Sequence, residues 1–291
     1  MAICDQHQSS SDVSEGSAGN AVANGFLSSP ALDPGKAGSR KKRDPALMLV
    51  VVGCGHVGLV SAACLADFGH FVVGIDRDEQ RVADLRRLRL PVWEPGLDEL
   101  IAKNVRAGRL AFSDDLEAAV ARADVVFLAV GTEARRGDGH ADIPFVLEAT
   151  RRIAAALTGF TVVSTKSTLP VGTADEVAAL LRATAPHADV AVVANPEFLR
   201  DGRAIADFRR PARIVVGLDD ERARAVMTAV YRPLYLNAVP LHFLDRRTAE
   251  LVKYAANAFL ATRIALINEF TDPCETVDAD IGDLIHSLDA D

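Results

Sequence analysis

Cysteine is sparse in this 291-residue chain. Cys4, Cys54, Cys64 and Cys274 form no CxxC pair and no metal-ligand spacing, so no disulfide framework and no metal site is expected, and free thiols fit a reducing compartment. Long apolar runs are also missing: nothing approaches the roughly 18 residues that span a bilayer, and no basic segment followed by an apolar one opens the chain. The expectation is a soluble, cytoplasmic protein without a membrane partner. Excess positive charge is absent as well. The formal net charge is −8, which argues against bulk attraction to nucleic acid and means that an anionic ligand must be held by a local device. Lysine is scarce, six of 32 basic residues, which singles out each lysine of the folded region. What remains, 49% apolar and 25% charged, is a globular composition.

Residues 1–44 are rich in Ser, Gly, Ala, Asn and Asp with no hydrophobic period, and read as a disordered tail. Its closing cluster, Arg40 to Arg43, reads as a solubility feature rather than a targeting signal. From Leu47 to Val52 a continuous aliphatic run reads as a strand buried on both faces. Further runs at Phe71–Ile75, Val125–Val130, Phe160–Ser164, Val190–Ala194 and Ile214–Gly217 alternate with helical segments. The fold class is therefore α/β, a doubly wound parallel sheet of the Rossmann type over residues 45–240. Residues 241–291 read as the start of a central helical domain. There, Ala249–Phe270 forms one long helix, apolar nearly all round, with Glu250, Lys253 and Asn257 in one narrow arc. Such a helix is expected to be buried on every side, yet little sequence follows to cover it. Association into a homo-oligomer through this helix is the expectation.

Gly53-Cys54-Gly55-His56-Val57-Gly58 matches G-x-G-x-x-G between a strand and a helix. The glycines permit a tight turn, close approach of a pyrophosphate and close helix–strand packing, while the helix N-terminus offers free N–H groups to phosphate. Asp76, 18 residues after Gly58, ends the second strand, where a carboxylate takes the adenosine ribose hydroxyls. The carboxylate repels a 2′-phosphate, so NAD is expected over NADP; Arg77 follows at once, but its side chain is expected to point elsewhere.

Four further segments stand out. Pro91-Val92-Trp93-Glu94-Pro95-Gly96-Leu97 holds the only tryptophan. Lys166-Ser167-Thr168-Leu169-Pro170-Val171-Gly172-Thr173 and Asn195-Pro196-Glu197-Phe198-Leu199-Arg200-Asp201-Gly202 each follow a strand, where a parallel sheet places its ligand crevice. The fourth runs from Ala249 to Leu260. With the glycine motif and Arg210-Pro211-Ala212-Arg213-Ile214-Val215-Val216-Gly217, they resemble the UDP-glucose/GDP-mannose dehydrogenase family in order from about Leu47 onward, and the last segment looks more like its UDP-glucose branch.

The resemblance implies NAD-dependent oxidation of a nucleotide-sugar C6 alcohol, UDP-glucose first, to a carboxylate by way of an aldehyde and a cysteine thioester. By matching motif, Gly53, Gly55, His56, Val57, Gly58, Asp76 and Arg81 would hold the adenosine diphosphate half of NAD. Val130, Gly131, Thr132, Ser167 and Thr168 would line the nicotinamide side, with Asp201 nearby. Glu197 would orient the hydrolytic water, Lys253 and Asn257 would stabilise the oxyanion, and Phe198, Leu199 and Arg200 would share the substrate side. The chemistry agrees, since a lysine and an asparagine at i and i+4 project to one side and can donate to one developing alkoxide. Blander roles stay open: Thr168 as a cap for the helix after Pro170, Glu197 as a cap for a short helix, Lys253 as a solvated charge. Three departures from the family pattern stand out: Glu133 after Thr132 where the family has proline, Asp201 in place of glutamate, and no glycine-rich segment with the nucleophilic cysteine. Cys274 reads as a buried small hydrophobe rather than a replacement. Without that segment the chain is expected to be incomplete for turnover, and an NAD-binding remnant or partner of a full-length relative is the alternative, as is another nucleotide-sugar dehydrogenase.

Overall fold

A computed structural model describes residues 46–131 and 143–288. The chain order is β1 (Met48–Val52), α1 (His56–Asp67), β2 (Phe71–Ile75), α2 (Glu79–Arg86), α3 (Leu97–Arg106), β3 (Leu110–Ser113), α4 (Leu116–Val120) and β4 (Val125–Leu128). It continues with α5 (Pro144–Ala156), β5 (Thr161–Thr165), α6 (Thr173–Thr184), β6 (Val190–Ala194), α7 (Ala204–Arg209) and β7 (Ile214–Gly217). The last elements are α8 (Glu221–Val230), α9 (Arg232–Tyr235), β8 (Leu241–Leu244), α10 (Arg246–Glu269), α11 (Thr271–Val277) and α12 (Ile281–Leu288).

The strands form one sheet in the order β3-β2-β1-β4-β5-β6-β7-β8. The direction of winding reverses between β1 and β4, and the crevice at the carboxyl ends of those strands is where a doubly wound sheet takes its ligand. The expected parallel sheet holds from β3 through β6, but β7 runs antiparallel to β6 through the single pair Ala194–Gly217. Strand β8 then pairs parallel to β7, so the sheet continues past Pro240.

Alternation along the strands divides the core. Leu49 and Val51 face one layer with Leu59, Leu65, Ile101 and Met227; Val50 and Val52 face the other with Leu116, Ile153, Val177 and Leu181. Both layers are apolar because strands covered on both faces meet no water. His70 ties the edge of the first layer together: its Nδ1 accepts the Leu47 N–H at 3.3 Å and its Nε2 donates to the Val230 carbonyl at 3.0 Å. That arrangement requires the neutral ring, and burial accordingly lowers its pKa against the opposing pull of the Val230 hydrogen bond.

Helix α10 departs from the expectation that it is buried all round. Only Ala249, Glu250 and Lys253 are buried, while Phe259 is 67% exposed and Leu260, Ile264 and Leu266 are each at least half exposed. Its first turns rest on β7, where a Cβ on Gly217 would come within 2.6 Å of Ala249 Cβ; beyond Lys253 none of its residues is buried among the described residues. Asp245 caps its N-terminus by accepting the Thr248 N–H at 2.8 Å, and Arg246 pins it through Asp175 at 2.7 Å and Asp219 at 2.8 Å. At 1.5 Å per residue, its 24 residues run about 36 Å. Cys274 is buried on α11, as a small apolar side chain would be.

Candidate functional site

The glycine loop folds as its spacing requires. Gly53 has φ +101°, and a Cβ there would lie 2.5 Å from the Ala129 carbonyl oxygen. A Cβ on Gly58 would fall 1.8 Å from the Gly53 oxygen, so only glycine lets α1 close on the turn. Gly55 differs, since a Cβ there meets no protein atom within 4 Å: it faces open space.

That space is a cleft of about 400 Å³ lined by Gly53, Gly55, Asp76, Arg81, Val130 and Gly131 among the residues singled out from sequence. Asp76 is almost fully buried. Its Oδ2 accepts the Cys54 N–H at 2.9 Å and faces Arg81 Nη1 at 3.1 Å, and its Oδ1 accepts the Asp78 N–H at 3.1 Å. Arg77 does not point elsewhere. It lines the same cleft, because its guanidinium lies over the Phe145 ring, 4.3 Å from its centroid. Val57 is half-buried and Gly58 buried on the first turn of α1; Thr132 lies outside the described residues.

A second cluster sits at the ends of β5 and β6. Lys253 Nζ is 3.1 Å from Glu197 Oε1, both side chains 9% exposed. The other Glu197 oxygen accepts the Leu199 N–H, and Phe198 lies under the ammonium, 5.5 Å from Nζ to its ring centroid. Ser167, Thr168, Glu250 and Lys253 line one small cavity, and Ser167 Oγ donates to the Val130 carbonyl at 2.6 Å, joining this cluster to the cleft.

Some expected members are not brought in. Asn257 is exposed on α10: one turn beyond Lys253 on the same face, it has already left the sheet edge, so the two donors do not converge here. Arg200 is engaged by Asp207 at 2.7 Å. The N-cap position of α6 is Gly172 rather than Thr168, and that of α7 is Arg203 rather than Glu197; the N–H groups at both helix starts are met from afar. Glu250 meets those of α6, accepting the Gly172 N–H at 2.6 Å and the Ala174 N–H at 2.8 Å, and burial raises its pKa against those two donors. Glu94 meets those of α7, accepting from Gly202 at 2.9 Å and Ala204 at 2.8 Å.

Glu94 also faces His56 Nε2 at 3.0 Å, while His56 Nδ1 faces Asp201 at 3.1 Å. The Trp93 segment, the glycine loop and the Asp201 turn thus meet at one imidazole. Sequence flagged the Glu94 segment as unusual without revealing this junction.

Beneath the Glu197 turn lies a buried polar knot with a fainter signal. Lys166 Nζ donates to Asn195 Oδ1 at 3.2 Å and approaches the Tyr231 hydroxyl at 3.3 Å; Tyr231 donates to Asn195 Oδ1 at 2.5 Å, and Asn195 Nδ2 donates to the Val215 carbonyl at 2.7 Å. Burial brings the Lys166 pKa down to about 8, against the attraction of Glu197, and raises that of Tyr231. The scarcity of lysine pointed to Lys166; nothing in the sequence pointed to Tyr231.

Among the described residues no group of His, Cys, Asp and Glu side chains could hold a metal ion, and no helix is long and apolar enough to cross a membrane. Residues 47–235 match the UDP-glucose/GDP-mannose dehydrogenase family, NAD binding domain, and residues 247–291 match that family's central domain. UDP-glucose 6-dehydrogenase of Rhizobium meliloti is 59% identical over 247 residues, covering 84% of this chain and 56% of the relative. A Bacillus subtilis UDP-glucose 6-dehydrogenase is 42% identical over 244 residues, covering 84% and 54%. The structure of a UDP-glucose dehydrogenase from Pyrobaculum islandicum superposes with a TM-score of 0.78 at 37% identity, covering 86% of this chain and 58% of the other. A GDP-mannose dehydrogenase from Pseudomonas aeruginosa gives 0.77 at 29%, covering 84% and 57%. The chain spans about half the length of the curated relatives it matches.

Proposed function

The chain belongs to the UDP-glucose/GDP-mannose dehydrogenase family, and from that premise we propose that it binds NAD in the cleft between β1 and β4 and presents the C6 alcohol of UDP-glucose to the Lys253–Glu197 cluster. The fit to a dinucleotide rests on Gly55, whose missing side chain opens onto the cleft rather than onto protein, and on the α1 N-terminus beside it. Asp76 and Arg81 hold the ribose end; Val130, Gly131 and Ser167 border the nicotinamide end. NAD, when bound, supplies a hydride acceptor.

The buried Lys253–Glu197 pair carries the reading. An ammonium screened from water donates strongly to oxygen that gains negative charge as an alcohol is oxidised. Glu197, 3.1 Å away, keeps that ammonium in place and is poised to take a proton from a water at the same carbon. Thr168 and Asp201 border the two ends of the site, and Phe198, Leu199 and Arg200 form its substrate-side turn. The Arg210–Gly217 segment favours UDP-glucose over GDP-mannose. The described cysteines are buried, and burial raises the thiols of Cys54 and Cys64, the latter up to about 12, so neither is the activated thiolate that a thioester step needs, while Cys274 sits on α11, away from the Lys253–Glu197 cluster. We therefore assign to these 291 residues cofactor binding and alcohol polarisation, in the cytoplasm, with the apolar side of α10 as the surface of self-association.

Calorimetric titration of the 291-residue polypeptide tests the assignment. NAD is expected to bind, UDP-glucose to bind the NAD-saturated chain more tightly than GDP-mannose, and Lys253→Ala to weaken the sugar nucleotide without weakening NAD. A folded chain that ignores NAD, or a Lys253→Ala variant that keeps full sugar-nucleotide affinity, overturns it. Sustained formation of two NADH per UDP-glucose would overturn the restriction to a partial reaction.

A further inference from the structure

The expected preference for NAD over NADP places the repulsion of a 2′-phosphate on Asp76. The structure shows that carboxylate already matched, by Arg81 Nη1 at 3.1 Å and by the N–H groups of Cys54 and Asp78. The charged lining of the cleft is balanced too, Asp76, Asp78 and Glu148 against Arg77, Arg81 and Arg152. A balanced lining offers little long-range repulsion to one further phosphate. Moreover, Arg77 directly follows Asp76, and an arginine at this end of the second strand is the residue type that accommodates a 2′-phosphate. By charge alone the cleft would discriminate poorly.

Arg77, however, is engaged by another wall of that cleft. Its guanidinium carbon is 4.3 Å from the centroid of Phe145, and its Nη1 is 4.0 Å from Glu148 Oε2. Both partners belong to the first turns of α5, another wall of the same cleft. We propose that Arg77 is the specificity-determining residue toward the ribose 2′ position, and that Phe145 and Glu148 select NAD by holding its guanidinium against α5. The proposal rests on the reading that this cleft binds NAD.

The size of the bias follows from exposure. The Arg77 and Glu148 side chains are 66% and 63% exposed, so their ion pair contributes little and the stack is the main restraint. A cation–π contact at an exposed site corresponds to about a fivefold bias at most. NADP must release Arg77 before using it, whereas NAD needs no such release.

Calorimetry with NAD and NADP on the 291-residue chain and four variants tests this. Phe145→Leu keeps apolar bulk but removes the ring face; it is expected to raise NADP affinity relative to NAD by up to about fivefold. Glu148→Gln, an exposed change that leaves the fold intact, is expected to tighten NADP about twofold. Arg77→Ala alone is expected to leave NADP nearly unchanged, and Arg77→Ala combined with Phe145→Leu to cancel the gain. An unchanged NADP-to-NAD ratio in Phe145→Leu, or a gain that survives removal of Arg77, overturns the proposal while leaving the cofactor reading intact. Failure of the folded wild-type chain to bind NAD overturns the cofactor reading itself, and this proposal with it.

Discussion

Two parts of one helix behave differently. The first two turns of α10 carry Glu250 and Lys253, both buried and both bonded to other elements; from Tyr254 to Phe270 the same helix exposes ring after ring and leucine after leucine. The halves differ in composition, with charged side chains at Arg246, Arg247, Glu250 and Lys253 in the first and only at Arg263 and Glu269 from 254 to 269. It is the charged half that packs on β7 and the apolar half that is left exposed. Amphipathic period and apolar content report that a helix seeks a partner; burial reports that it has one.

The largest test of the packed side is Gly58→Ala. Its Cβ would fall 1.8 Å from the Gly53 oxygen, so overpacking should cost more than about 3 kcal/mol and abolish NAD binding; a variant with an unchanged urea midpoint would break the contrast. Lys253→Ala comes next. It strands a buried carboxylate and should cost about 3 kcal/mol, whereas Leu260→Ala, two turns along the same helix, should stay within about 0.5 kcal/mol. Equal losses would show that α10 is uniformly packed. A third test addresses the exposed half directly: sedimentation at micromolar concentration should show association, and Leu260→Asp with Ile264→Asp should reduce it. A clean wild-type monomer would sharpen the contrast into a helix with no partner of its own kind.

The smallest effect is a pH dependence. Burial lowers the His70 pKa, so the folded state favours the neutral ring. Its contribution is fully present above the ordinary histidine value of about 6.5 and is lost as pH falls through the lower folded value. Urea midpoints should decline below that pH, with a shallower decline in His70→Gln. An identical slope in the variant would place the effect elsewhere.

Much of the packed half is legible in sequence because its determinants are local. Phe71–Ile75, Val190–Ala194 and Ile214–Gly217 are strands with the limits that their apolar runs suggest, and the glycine loop follows from six consecutive residues. Two strands are not legible, Leu110–Ser113 and Leu241–Leu244: each has four residues, like Ile214–Gly217, but Ser113 and His242 leave no unbroken aliphatic run, and the second is only partly buried. For the caps, sequence offers only neighbours, Thr168 and Glu197, as alternatives to their site roles. The residues that perform the capping, Glu250 and Glu94, come from 78 and 110 positions away at the more distant of their bonds. No spacing rule reaches that far. Asn257 shares the helical face of Lys253 as its i+4 position requires, yet the end of the sheet, invisible in sequence, divides them.

Gly217 gives α10 a fulcrum. Residues 246 and 249 bear on it, Lys253 lies about one to two turns away, and the far end of the helix lies about 30 Å out. A rigid rod supported near one end converts a large sweep at its tip into a small one near the support, here with a ratio of roughly four to one. A push of about 2 Å on the exposed end would therefore move Lys253 by about 0.5 Å. That is enough to lengthen a 3.1 Å contact with Glu197 and too little to tear the helix from the sheet. The exposed length of α10 is thus mechanically continuous with the ammonium at its base.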